Sequence, residues 1–134
     1  MERFVWSPDG LSHTGPMIKA TLTTTGRRTG RPRSVPLYAF EEGEGLVIVG
    51  SWAGGPKDPA WVGNLRAEPR ATVKVGKVER RVRAREVEVP SDERVRLWTL
   101  VTDGFRYYEA YQRKTERVIP LFVLEPTADD APAA

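Results

Sequence analysis

The chain has 134 residues, 40% hydrophobic and 29% charged, with a net charge of +3 and a pI near 9.4. That length suits one domain with an ordinary core. The absence of cysteine and the single histidine, His13, exclude disulfides, iron–sulfur clusters, thiolate zinc and multi-histidine metal sites, so no metal centre is expected.

Residues 1–16 carry Pro8, Gly10, Gly15 and Pro16 without a clear period and read as an arm. Residues 17–25 alternate and are rich in Thr, which suits a strand. Residues 34–40 read as a second strand, placed at an edge or bulged by Pro36. Glu41-Glu42-Gly43-Glu44-Gly45 is a hairpin turn, and 46–49 is a buried strand. Asp58 is expected to cap a helix with Pro59 at its first position; Trp61, Asn64 and Leu65 lie on it, and it stops before Pro69. Residues 71–75 and 78–89 are strands around Gly76-Lys77. In the second, Val82 and Ala84 occupy one phase and Val87 and Val89 the other, which predicts a bulge near Arg85. Pro90-Ser91-Asp92-Glu93 opens a helix with a hydroxyl cap and an acidic first turn; Val95, Leu97, Trp98 and Val101 supply its apolar surface. After Asp103-Gly104 a further helical stretch carries Phe105, Tyr108 and Tyr111 at threefold spacing, on one face. Residues 118–124 form a last strand, and 127–134 read as a disordered tail. The order β-β-β-α-β-β-α-α-β predicts a mainly β protein with helices (α+β), a small barrel at 17–126 with helices packed on it. No signal peptide opens the chain and no apolar run reaches a membrane span, so a cytoplasmic protein is expected. Only Phe4, Val5 and Trp6 favour a peripheral membrane contact.

Basic character is local. Arg27, Arg28, Arg31 and Arg33 fall within seven residues, framed by Gly26 and Gly30 after a Thr-rich strand. Guanidinium forks match phosphate and carboxylate oxygens, and glycine lets a backbone approach a ligand. A solvated surface loop is the plain alternative. The segment is neither a Walker loop nor a dinucleotide fingerprint. The run Gly50-Ser51-Trp52-Ala53-Gly54-Gly55-Pro56-Lys57-Asp58 leads into a helix start and could cradle an anion, or simply connect two elements. Phe105, Tyr108 and Tyr111 could be core. Two of the three carry hydroxyls that need partners, and an aromatic face with polar tips suits a flat conjugated substrate. Arg80, Arg81, Arg83 and Arg85 read as the exposed side of a strand.

In order along the chain, Thr23-Thr24-Thr25-Gly26-Arg27-Arg28-Thr29-Gly30-Arg31-Pro32-Arg33, Pro36-Leu37, Gly54-Gly55, Pro59-Ala60-Trp61, Asn64-Leu65, Glu68-Pro69 and Arg117-Val118-Ile119-Pro120 resemble the deazaflavin-dependent nitroreductase and F420H2-dependent quinone reductase family. The resemblance covers about residues 18–125. It implies a split β-barrel of the flavin-reductase and pyridoxamine-phosphate-oxidase type that binds coenzyme F420, an 8-hydroxy-5-deazaflavin with a phosphate and glutamyl tail. It implies hydride transfer to a quinone, nitroaromatic or activated enone. Arg27, Arg28, Thr29, Arg33, Pro36, Gly54, Gly55, Lys57, Trp61 and Asn64 would hold the cofactor. Trp52, Phe105, Tyr108 and Tyr111 would line the substrate side, and Tyr108, Tyr111 or Ser51 would stabilise charge on the acceptor. Trp52 and Ala53 stand where relatives often carry Ser-Lys, and Phe105 replaces a tyrosine, which counts against nitroimidazole substrates.

Three other readings stand beside this one. FMN lacks the glutamyl tail and makes poorer use of four arginines. A non-catalytic carrier of the same fold is indistinguishable by sequence. A nucleic-acid-binding barrel is disfavoured because the aromatics lie far in sequence from the arginines. A monomer or a homodimer is expected.

Overall fold

The computed structural model describes residues 17–127; the arm over 1–16 and the tail beyond Thr127 lie outside the described residues. The elements are β1 (Met17–Thr25), β2 (Pro32–Glu42), β3 (Gly45–Val49), α1 (Ala60–Ala67), β4 (Arg70–Val75), β5 (Val78–Glu86), α2 (Asp92–Gly104), α3 (Tyr107–Lys114) and β6 (Leu121–Pro126). A short 3-10 turn covers Trp52–Gly54. The strands close an antiparallel barrel in the order β1-β2-β3-β6-β5-β4.

Side-chain alternation decides which way each strand faces. In β1, Ile18, Ala20, Leu22 and Thr24 turn inward, and the residues between them are exposed or half-buried. They meet Leu46, Ile48, Val73, Val75, Val82, Ala84, Phe122 and Leu124 inside the barrel. Trp61, Val62 and Leu65 of α1 close one end, with the Trp61 ring edge-on to Phe122 at 5.8 Å. A second core lies outside the wall, where Leu97 and Val101 of α2 and Tyr108 of α3 cover Phe40, Val47, Val87, Leu121 and Val123. β3 and β6 are therefore buried on both faces, which is why they read as unbroken apolar runs. Each such side chain contributes about 1.5–3 kcal/mol by burial.

That second core explains β5. Its register with β6 runs unbroken from Val82↔Pro126 to Glu86↔Phe122, so there is no bulge near Arg85. Val82 and Ala84 face the barrel, and Val87 faces the helices; both phases are apolar because both faces are covered. The strand stops at Glu86, short of the expected 89, and Val89 is exposed.

Helix starts differ from the expectation in two places. Ser91 does cap α2, accepting the Arg94 N–H at 2.9 Å. Asp58 caps nothing: Pro59 is the N-cap of α1, and the Asp58 carboxylate is taken by Arg117 at 2.7 Å and Arg66 at 3.2 Å. α3 begins at Tyr107, so Phe105 lies in the link after α2 rather than on the helix. β2 starts at Pro32, earlier than expected, and β6 at Leu121, later than expected.

One feature of β2 positions the site. Pro32 to Phe40 pair with β1, but β3 takes only Ala39–Glu42. Residues 32–38 thus have a neighbour on one side alone, and Pro36 sits in that half, as a strand proline should.

Candidate active site

The one-sided half of β2 borders a cavity of about 1030 Å³. Its walls are the arginine turn, β2 from Arg33 to Tyr38, the loop before α1, the first turns of α1, and the aromatic residues around α3.

The arginine turn is closed by Gly30 N–H to Gly26 O at 2.7 Å and Gly26 N–H to Arg31 O at 2.8 Å, with Gly30 at φ 71°. Asn64 on α1 fixes it. The Asn64 Oδ1 accepts the Arg27 N–H at 3.1 Å, and its Nδ2 donates to Thr24 Oγ1 at 3.1 Å. Arg27 continues over α1 to the Ala60 carbonyl, and its guanidinium lies against Gly63, where an added Cβ would displace it. Arg27, Arg28, Thr29 and Arg33 line the cavity; Arg31 does not. Among the described residues no carboxylate pairs with any of these four arginines.

The loop from Gly50 to Pro59 forms the opposite lip. Ser51, Trp52, Ala53, Lys57 and Asp58 line the cavity. Trp52, Ala53 and Gly54 all have positive φ, at 41°, 52° and 77°. For the two residues with side chains this costs about 1–2 kcal/mol each. The Gly54-Gly55 pair departs from the expected cradle: neither lines the cavity. Gly54 lets the loop close on α3, since a Cβ there would lie 2.7 Å from Tyr111 O, and Gly55 lies beneath the Trp52 ring. Arg117 holds the loop from behind. Its Nε donates to Gly55 O (2.9 Å), its Nη1 to Gly50 O (3.0 Å) and Asp58 Oδ1 (2.7 Å), and its Nη2 to Ser51 O (2.7 Å).

The third wall is aromatic. The Phe105 ring touches Tyr108 at 4.8 Å and Tyr111 at 6.2 Å, and Tyr108 packs edge-on to Phe40 at 6.0 Å. Tyr107 is exposed and lies outside the lining. Burial, with Tyr111 and Tyr38 nearby, raises the Tyr108 hydroxyl to about 12. Like any tyrosine hydroxyl, that of Tyr108 is protonated at neutral pH and can donate a hydrogen bond, and burial moves it further from ionisation.

The sequence-picked residues brought together here are Arg27, Arg28, Thr29, Arg33, Pro36, Ser51, Trp52, Lys57, Trp61, Asn64, Phe105, Tyr108 and Tyr111. Asn64 is consumed by the turn and Thr24, so it shapes the site rather than offering free polar atoms. Missed were Ser34, Val35, Leu37 and Tyr38, which line the cavity because β3 leaves that half of β2 uncovered. Pro36 was the available signal for that bare edge.

A cavity with unpaired guanidiniums at one end and a flat aromatic wall at the other suits a long ligand with an anionic tail and a conjugated ring. F420 has those two halves.

Comparison with known proteins agrees. The family described as F420H(2)-dependent quinone reductase matches residues 7–126. An F420H(2)-dependent quinone reductase of Mycobacterium tuberculosis strain H37Rv is 36% identical over 104 residues, covering 77% of this chain and 70% of that protein. A solved structure titled as an F420-H2 dependent reductase (FDR-A) is 38% identical, with TM-score 0.72, covering 80% of this chain and 93% of that one. Another, titled as a domain-swapped dimer, is 36% identical, with TM-score 0.74, covering 90% and 88%. A putative pyridoxamine 5'-phosphate oxidase from Listeria innocua, 15% identical with TM-score 0.57 and covering 81% and 82%, shares the fold alone. Among the described residues no helix is long and apolar enough to cross a membrane. On the match across nearly its whole length, the chain belongs to the F420H(2)-dependent quinone reductase family and is an F420-dependent reductase.

Proposed function

We propose that the acceptor is a quinone, bound against Phe105, Tyr108 and Tyr111, with the cofactor tail on the arginine turn. Arg27, Arg28 and Arg33 would pair the phosphate and glutamyl carboxylates. The Thr29 hydroxyl on the turn and Lys57 on the facing loop would add contacts, and Pro36 and Trp61 would border the ring. F420 in its reduced form supplies the hydride. The chain's own task is to hold the acceptor flat, exclude water and meet the charge that develops on the acceptor oxygen.

The observation that carries this reading is that Tyr108 and Tyr111, with ring centroids 6.3 Å apart, line the same cavity as Arg27, Arg28 and Arg33. A neutral hydroxyl that donates to an oxygen gaining negative charge stabilises the transition state more than the ground state. The Ser51 hydroxyl, on the opposite lip, is the other candidate donor. The aromatic Trp52 and the short Ala53 favour a flat apolar acceptor over nitroimidazoles.

The test is steady-state turnover of menadione and of a nitroimidazole with reduced F420, for wild type, Tyr108→Phe and Tyr111→Phe. We expect menadione to be the better acceptor, and at least one Phe variant to lower its kcat with F420 affinity nearly intact. Faster reduction of the nitroimidazole would overturn the acceptor assignment. Parent rates in both Phe variants would make the hydroxyls bystanders and the wall a hydrophobic lid.

A further inference from the structure

Arg117 lies between α3 and β6, yet its guanidinium serves the loop 59 to 67 residues earlier in the chain. We propose that Arg117 is a positioning residue for the reduction, acting by holding Trp52 in place at the mouth of the acceptor end. The proposal rests on the acceptor reading above and extends it to what fixes that end of the cavity.

The argument starts from the backbone. Trp52, Ala53 and Gly54 form an unbroken left-handed run, and two of the three carry side chains that resist it. Such a run persists only where its surroundings over-determine it. The carbonyls that Arg117 grips stand on both sides of the run: Gly50 and Ser51 before it, Gly55 after it. A planar fork can span such a bend, which a lysine ammonium cannot reproduce. The fork is itself fixed. Asp58 takes Nη1 with one oxygen and Arg66 with the other, and Arg66 reaches Glu86 of β5 at 2.9 and 2.8 Å. The strained turn is thereby tied to the barrel wall.

Its other neighbour is the acceptor wall. Gly54 abuts the Tyr111 backbone, and Lys114 Nζ donates to Ala53 O at 3.4 Å. Trp52, 61% exposed, lines the cavity from this turn, across Gly55. The placement of the Trp52 ring and of α3 are thus set by one clasp. A plain loop staple would be indifferent to which residues stand at 52 and 53; a positioning clasp is not.

The experiment compares wild type, Arg117→Lys, Trp52→Ala and their double variant, plus Arg117→Lys with Ala53→Gly. Three quantities are read: hydrogen exchange of the 50–58 amides in cofactor-free protein, F420 affinity, and KM for menadione. Arg117→Lys should speed exchange at 50–58 by about tenfold or more while β3 and β6 amides keep their rates. It should raise KM for menadione about fivefold and move F420 affinity by less than about twofold. With Trp52 already removed, Arg117→Lys should no longer change KM. With glycine at 53, which accepts positive φ freely, KM should return toward wild type. Unchanged exchange at 50–58, independent multiplication of the Arg117 and Trp52 effects on KM, or a loss of F420 affinity larger than the KM effect would each overturn the proposal. Should Arg117→Lys fail to fold, Asp58→Asn loosens the same fork and is held to the same outcomes. Absence of menadione turnover in wild type would sink the acceptor reading, while the exchange measurement would still decide whether the clasp exists.

Discussion

Two arginine-rich segments lie in this chain, at residues 27–33 and along β5, and Arg85 of the second is paired as none of the first is. Arg27, Arg28 and Arg31 sit on a turn and Arg33 follows at the start of β2, and among the described residues none meets a carboxylate. At Arg85 of β5, and at Arg66 and Arg70 on the neighbouring elements, the cations are matched. Arg85 binds Glu93 at 2.7 Å and Glu125 at 3.4 Å, Arg66 binds Glu86, and Arg70 holds the Glu68 carboxyl down to about 2. The sequence densities are similar; the compensation is not. Charge density alone does not mark a site. Charge that the fold leaves unpaired beside a cavity does, because a protein gains nothing in stability from holding like charges together.

The comparison breaks most visibly if the turn is neutralised. Arg28→Ala and Arg33→Ala should each weaken F420 binding by roughly 1.5–3 kcal/mol, about ten- to more than a hundredfold, in a tryptophan-quenching titration. Stability should change by about 0.5 kcal/mol or less, since no internal partner is lost. Unfolding of these variants in place of weakened binding would mark the turn as structural.

Asn64→Ala comes next. It strips the Arg27 N–H and the Thr24 hydroxyl of their partner, at about 1–3 kcal/mol of stability in urea unfolding. F420 affinity should also fall, because the turn loses its seat on α1. Full stability in this variant would show that the turn holds its shape alone.

A smaller effect separates the cofactors. The turn arginines are exposed, so raising salt through the range where the Debye length drops from about 10 to 3 Å should weaken F420 binding several-fold. FMN, with fewer charges to place on the turn, should bind more weakly at low salt and respond less. Equal salt slopes for the two would mean that the tail does not lie on the arginines.

Much of this was legible in the sequence where the determinants are local. The alternation of residues 17–25, the Gly43 turn and the Ser91 cap each depend on a few neighbours, and each forms as read. The errors share a cause, which is competition from a distant partner. Asp58 has the composition and position of a helix cap, yet a guanidinium 59 residues away takes its carboxylate. The phase change after Ala84 looks like a bulge until α2 is known to cover the outer face of the barrel. Gly54-Gly55 looks like a ligand cradle until α3 arrives against it. That the arginine turn borders a cavity was legible because glycine and arginine state their roles in place. That Arg117 clasps the opposite lip was not, since all its contacts there span 59 residues or more.

The smallest expected effect tests the other half of the comparison. Arg85→Ala removes a cation that already has partners, so F420 affinity should stay within about twofold of wild type. The cost falls on stability, and it is modest: Arg85 and Glu93 are both partly exposed, and such pairs contribute about 0.2–1 kcal/mol. Its pH dependence has a definite sign. Arg85, by its hydrogen bond and its charge, holds the Glu93 carboxyl below its ordinary value of 4.5. A carboxylate lowered by folding stabilises the native state above its unfolded pKa, and that stabilisation drains away as pH falls through the folded value. The gap in unfolding free energy between wild type and Arg85→Ala should therefore be present at about pH 7 and shrink toward about pH 3. A gap that stays constant on acidification would assign the stability loss to packing of the arginine stem and not to its charge. A loss of F420 affinity as large as that of Arg28→Ala would do more: it would mean that the paired arginines also serve the cofactor, and the distinction between compensated and uncompensated charge would fail for this molecule.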